Sequence, residues 1–153
     1  MGQISSLAKP GPFNPFMFTV LAMTNRLRFF HTWRALGYGL ILLVIYLSLT
    51  PAPPNIPIEN GDKLGHVGAY TALMAWFAWL YPSHSVRWIC AVGFATLGVG
   101  LEFAQALTDY RTFELTDMVA DTTGVVLGWL AALPPLPNLL LCLERDLFKV
   151  DLS

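Results

Sequence analysis

The chain has 153 residues, of which 55% are hydrophobic and 12% charged, about half the charged fraction of ordinary globular domains, so a conventional water-facing surface is excluded. Its formal net charge of −1 excludes the basic field that nucleic-acid binding needs. The two cysteines, Cys90 and Cys142, lie on hydrophobic stretches without metal or redox spacing; they read as small apolar side chains and not as a disulfide framework.

With a mean hydropathy of +0.55 and five Trp, ten Phe and five Tyr, the composition predicts an all-α integral membrane protein with a lipid-facing exterior and aromatic residues near the interfaces. Residues 1–32 form a lead-in, Pro- and Gly-rich over residues 1–22 and expected to be poorly ordered. No secretory signal is read there. The apolar run from Phe16 to Met23 is short, follows a single Lys9, and ends in Thr24-Asn25-Arg26 without a small-residue cleavage site. Met23, directly before a basic stretch, offers an alternative start to Met1.

A membrane-crossing helix needs about 20 largely apolar residues, and four segments approach that length. The first covers residues 33–50 and stops at Pro51-Ala52-Pro53-Pro54, since proline cannot continue a helix. The second runs from Asp62 to Tyr81-Pro82, the third over residues 86–107, and the fourth over residues 115–133 before Pro134-Pro135. Together they define a four-helix transmembrane domain over residues 33–133. In the tail, 134–153, residues 139–150 are too short and too charged to span and are expected to lie along the surface as an interfacial helix.

Basic residues in short flanking segments are retained in the cytoplasm during insertion. Lys9, Arg26, Arg28, Arg34, Arg87, Arg145 and Lys149 fall on the side shared by both termini, and only Lys63 and Arg111 on the other. Both termini are therefore expected to be cytoplasmic, with a multi-pass chain in a bacterial cytoplasmic membrane.

The acids, His and Gln, which the topology rule does not count, gather on the outer side. Asp62, Lys63, His66 and Tyr70 open the second helix; Glu102, Gln105 and Asp109 close the third; Arg111, Asp117 and Asp121 open the fourth. Residues three, four or seven apart share a helix face, so Lys63, His66 and Tyr70 form one polar stripe. Glu102, Gln105 and Asp109 form a second, and Asp117, Asp121, Gly124 and Gly128 a third. Glu102 and Asp121 lie on the order of 8 Å inside their helix ends. A charge at the membrane centre costs about 2.5 to 3.5 kcal/mol on insertion scales and less towards the interface, so each is tolerated if paired or hydrated.

Each of these residues has a structural reading beside its functional one. Glu102 is either a buried partner holding helices together or a ligand or proton-transfer group in a wet cavity. Lys63 and Asp62 could simply snorkel. His66 could be structural, a general base or a metal ligand. Arg111 suits a phosphate or carboxylate, or neutralises Asp109, Glu114 or Asp117. Gly124-xxx-Gly128 reads as close helix packing, with Ala91, Ala95 and Gly98 giving the third helix a similar small face.

Taken together, Asp62-Lys63-xx-His66-xxx-Tyr70, Glu102-xx-Gln105, Arg111 and Asp117-xxx-Asp121-xx-Gly124 resemble, in order and spacing over residues 62–128, the VanZ-like family of bacterial membrane proteins, named for an accessory protein of glycopeptide resistance associated with teicoplanin. Asp121 departs from the pattern, which more usually has Asn there, and this alters the local hydrogen bonding. The resemblance implies a multi-helix membrane fold and a link to envelope stress.

The binding residues expected are Lys63, His66, Tyr70, Glu102, Gln105, Arg111, Asp117 and Asp121. Lys63 and Arg111, in apolar and aromatic surroundings, suit an envelope lipid or glycopeptide with an anionic head group. The alternatives are an enzyme on a lipid-linked substrate, with His66, Glu102 and Asp117 as acid–base candidates, or a noncatalytic subunit with a membrane-protein partner or a second copy. A metal at His66, Glu102, Asp117 and Asp121 would supply a water nucleophile, but one His among three carboxylates is unspecific, so no metal and no cofactor is expected.

Overall fold

A computed structural model of the chain describes residues 27–52, 57 and 60–148, and among these residues it is all-helical. The expected disorder of residues 1–26 and the alternative start at Met23 lie outside the described residues. The described residues form five helices: α1 (Phe30–Leu49), α2 (Gly61–Leu80), α3 (His84–Ala106), α4 (Leu115–Ala131) and α5 (Leu139–Phe148). The first four run up and down as a bundle. They begin within three residues of the predicted starts, and none extends past the proline-bearing segments that follow α1, α2 and α4.

The lead-in had been expected to reach residue 32. Helix α1 starts earlier, at Phe30, because Leu27 and Trp33 are buried with Leu80 and Leu140 in an apolar cluster at that end. Helix α5, expected to lie along the surface, packs one of its faces on the bundle. Leu140 and Glu144 on one of its faces are fully buried, while Leu143, Arg145 and Leu147 stay exposed.

Two helices, α1 with 20 residues and α3 with 23, are long and apolar enough to cross a membrane. Helix α2 has the same 20 residues but carries Asp62, Lys63 and His66. Helix α4, with 17 residues, spans about 25 Å at 1.5 Å per residue. Large apolar side chains remain exposed around the bundle, among them Leu42 and Tyr46 on α1, Ile89 and Val92 on α3, and Val119 and Leu130 on α4. A contiguous apolar exterior on this scale fits a hydrocarbon surround and not water.

The core is centred on α2, whose Tyr70, Leu73, Met74, Phe77 and Ala78 are buried with Val44, Ala91, Phe94, Leu101 and Val125 from its neighbours. Helices α2 and α4 run parallel and pack most closely. A Cβ built on Gly124 would lie 2.6 Å from the Val67 carbonyl oxygen, and one on Gly128 would collide with the Thr71 carbonyl. Only glycine permits backbones so near each other. This approach carries the polar ends of α2 and α4 into contact.

Candidate functional site

The site is assembled where α2 begins, α3 ends and α4 begins. Asn60 precedes α2 in a left-handed conformation, φ 56°, which asparagine tolerates better than most residues. From there Lys63, His66 and Tyr70 rise on the face turned towards α4. Glu114 is the extended N-cap of α4, and Asp117, Asp121 and Gly124 follow on the face turned back to α2. Helix α3 runs antiparallel to both and contributes Glu102 from its last turns.

These side chains form a continuous network. Lys63 Nζ lies 2.9 Å from Asp62 Oδ2, 2.5 Å from Glu114 Oε2 and 2.5 Å from Asp117 Oδ1. His66 Nδ1 is 2.8 Å from Asp121 Oδ1, and its Nε2 is 3.5 Å from Asp117 Oδ2. Glu102 Oε2 accepts the backbone N–H of Glu114 at 3.0 Å. One ligand atom from each of His66, Glu102 and Asp117 lies within 4.8 Å of the other two. Gly98 of α3 faces Asp121, where a Cβ would come 2.6 Å from Oδ2.

Burial is graded along this network. Asp62 and Glu114 form a solvated rim, with side chains 59% and 43% exposed. Lys63, His66 and Asp117 are partly covered. Glu102 and Asp121 form the floor, 1% and 3% exposed. At the rim, the hydrogen bond from Lys63 holds the Glu114 carboxyl below the ordinary glutamate range. Tyr70, one turn beyond His66 on α2, is buried; its hydroxyl has no hydrogen-bond partner and lies within electrostatic range of Glu102 and Asp121.

Three of the polar residues singled out in the sequence, Gln105, Arg111 and Asp109, stand elsewhere, and Tyr110 joins the first two. Gln105 Nε2 donates to the Ser48 carbonyl at 2.8 Å, Arg111 Nη2 reaches the Leu47 carbonyl at 3.5 Å, and Tyr110 Oη donates to the Leu49 carbonyl at 3.0 Å. Together they satisfy the orphan carbonyls at the C-terminus of α1. Asp109 leaves the Glu102–Gln105 stripe because α3 ends at Ala106 and Thr108 N–H closes a tighter turn onto Gln105. It is exposed.

Two residues were not singled out as site residues. Glu114 ties the rim to the floor through its side chain and its amide, and it was visible only as an acid three residues before Asp117. Glu144 lies at the opposite end of the bundle, fully buried, and accepts from Arg28 N, Phe29 N and Trp33 Nε1 at 2.7–2.8 Å. It therefore caps the start of α1 from the tail.

The family described as VanZ/LLP1 matches residues 7–140 of the chain, well beyond the 62–128 stretch carrying the motifs. An uncharacterized protein of Schizosaccharomyces pombe is 33% identical over 105 residues, 63% of this chain. The chain spans 61% of that relative's length. No solved structure matches it.

Proposed function

Because the chain belongs to the VanZ/LLP1 family, we propose that it is a multi-pass membrane protein whose first four helices all cross the bilayer and whose polar cluster binds the head group of an envelope amphiphile. Lys63 lies at the end of the bundle that holds the cluster, whereas Arg34 and Arg87 lie at the other. The basic-residue rule then puts the cluster on the extracytoplasmic face and both termini in the cytoplasm. In a bacterial cell this is the inner membrane, and teicoplanin tolerance is the phenotype that the family resemblance points to.

The observation that carries this reading is the position of the cluster beside an apolar surface. An open groove of about 440 Å³ runs along α4, lined by Leu115, Met118, Val119, Thr122, Thr123 and Val126. Its lining residues stand on the face of α4 turned away from Asp117 and Asp121. Phe103, Leu107 and Phe113 are exposed at the cluster's end of the bundle. A buried polar cup at the end of a bundle whose exterior is apolar fits a molecule with a polar head and an acyl chain.

Head-group chemistry follows from the hydrogen bonds. Lys63 is engaged by three carboxylates and Arg111 is turned to the end of α1 with its Nε buried, so the expected pair of cations facing an anionic head is not presented. The cup offers acceptors instead, which suit hydroxyl or amine donors directly; an anionic head group requires a cation between it and the acids. Purified protein in nanodiscs should retain a specific lipid by native mass spectrometry. Glu102→Gln should lower that retention at least tenfold, and Arg145→Gln on α5 should not. A lipid complement identical in wild type and Glu102→Gln would refute the reading.

The His66–Asp121 pair favours a second reading, chemistry on that head group. A carboxylate that fixes the imidazole at Nδ1 leaves Nε2 turned towards Asp117, the arrangement of an oriented general base. Mass spectrometry of the retained lipid after incubation should then show a new product that His66→Asn does not form.

A further inference from the structure

Three of the carboxylates, Glu102, Asp117 and Asp121, are buried, and among the described residues Lys63 is the only fixed cation paired with any of them. With His66 neutral and all three carboxylates ionised, two negative charges are left in a low-dielectric site, where unpaired carboxylates are costly. Asp62 and Glu114 add to the excess but are hydrated at the rim. The uncompensated charge equals that of one divalent cation.

We propose that His66, Glu102 and Asp117 bind a divalent first-row cation, of the Zn²⁺ or Mn²⁺ class, with Asp121 orienting the imidazole. Each of the three has one polar atom engaged in support and another left over. His66 Nδ1 is held by Asp121 Oδ1 at 2.8 Å, leaving Nε2. Glu102 Oε2 is held by the Glu114 amide at 3.0 Å, leaving Oε1. Asp117 Oδ1 is paired with Lys63, leaving Oδ2. A histidine ligand whose other ring nitrogen donates to a carboxylate is the usual outer support of a metal site.

The spacing is within reach of such a site. One ligand atom from each of the three residues lies within 4.8 Å of the other two, against edges of about 3.4 Å for a tetrahedron of about 2.1 Å bonds. Closing the set takes a contraction of up to about 1.4 Å on its longest edge. Tyr70 is the independent pointer to a ligand: its buried hydroxyl, without a partner beside this cup, suits hydrogen bonding to a water on the ion. One imidazole and two carboxylates suit Zn²⁺ or Mn²⁺ better than Ca²⁺, which takes six to eight oxygens. The site's role, presenting positive charge to an anionic head group, rests on the amphiphile-binding reading above; the ion binding does not.

The test is equilibrium dialysis of the full chain in detergent, stripped with chelator and titrated with Zn²⁺ alone and with Mn²⁺ alone, without added lipid. One equivalent per chain is expected for at least one of the two. Glu102→Gln and Asp117→Asn should each weaken binding more than 100-fold, and Asp121→Asn by about 10- to 100-fold with stoichiometry kept. The rim variant Asp62→Asn with Glu114→Gln should stay within about threefold of wild type. Because a variant can fail to fold, X-ray absorption on Zn²⁺-loaded wild type gives a second readout, with one imidazole and otherwise oxygen ligands expected.

Less than a tenth of an equivalent of either ion, an all-oxygen shell, or weakening by the rim variant but not by Glu102→Gln would overturn the site. Retention of lipid by chelator-stripped protein that binds neither ion removes the cation and leaves the amphiphile. Ion binding without lipid retention does the reverse.

Discussion

Substituting Gly124 with Ala puts a methyl group where α2 and α4 are in backbone contact. Its Cβ would sit 2.6 Å from Val67 O, 2.8 Å from Tyr70 Cβ and 3.1 Å from Thr71 N. An ordinary contact begins near 3.4 Å, so the shortest of these is deficient by 0.8 Å, and no flexible side-chain end can give way. The helices must separate locally, and overpacking of this kind costs about 1 to 3 kcal/mol. For a chain of this size that corresponds to a fall of roughly 3 to 10 °C in apparent unfolding temperature. The separation also acts on the site. Asp121 lies three residues before Gly124 on the same face, and displacement by that deficit would stretch its 2.8 Å bond to His66 beyond hydrogen-bond range. The comparison is Gly68→Ala on α2, where a Cβ meets nothing within 4 Å and added helix propensity makes the change neutral or slightly stabilising. Thermal unfolding in detergent at a fixed scan rate should rank Gly124→Ala well below wild type and Gly68→Ala level with it or above. Equal unfolding temperatures for the two variants would refute the close-approach argument.

Glu144→Ala leaves the buried donors of Arg28, Phe29 and Trp33 without an acceptor and should destabilise the protein by about 2 to 5 kcal/mol. Glu144→Gln should lie between it and wild type in the same unfolding assay, since one amide oxygen keeps part of the set. Gly98→Ala meets a side chain rather than backbone, Asp121 Oδ2 and Cβ. It should lower the unfolding temperature less than Gly124→Ala does and weaken the site more, read as lipid retention. Glu114 has a carboxyl held low by Lys63, so its stabilisation is present above the unfolded glutamate pKa and disappears as pH falls through the lower folded value. Wild type should therefore unfold at a higher temperature than Glu114→Gln at neutral pH, with the two curves converging as the pH is lowered below the ordinary carboxylate range.

The sequence carried the helices and one side of the site, for identifiable reasons. Prolines at 51, 82 and 134 stop helices by losing a donor and clashing with the preceding turn, so the ends of the segments were legible. The stripe Lys63–His66–Tyr70 and the stripe Asp117–Asp121–Gly124–Gly128 were legible because residues that share a face are set by helical period alone. Partners across loops were not. Gln105 and Arg111 look like site residues on a helical wheel, yet they bond carbonyls at the end of α1, a pairing separated by 57 and 64 residues in sequence. Glu144 sits beside Arg145 and Asp146 in an amphipathic segment and reads as solvated; only the fold brings it under Trp33. The crossing capacity of α2 and α4 was read from length and flanking signals, whereas composition alone marks α1 and α3. The helices that carry the polar groups are necessarily the less apolar ones.

That difference organises the molecule. Buried polar groups in a low-dielectric bundle must be bonded, and here, with exceptions such as Tyr70 Oη, they are bonded in two ways. Gln105, Tyr110, Arg111, Arg87, Asn138 and Glu144 engage backbone groups at helix ends, where helical geometry leaves N–H and C=O groups without partners. Their chemistry is consumed by the fold. Lys63, His66, Asp117 and Asp121 bond one another instead, and Glu102 gives the backbone a single oxygen. Asp121 shows what this achieves. As a carboxylate it can only accept, so it fixes a proton on His66 Nδ1 and leaves Nε2 facing Asp117. An asparagine at 121 could present either its oxygen or its NH₂ group and so would permit either imidazole tautomer. The acid therefore commits the histidine to one orientation, with Nε2 turned towards Asp117 and the cup, which is the condition for His66 to act on something other than the protein itself.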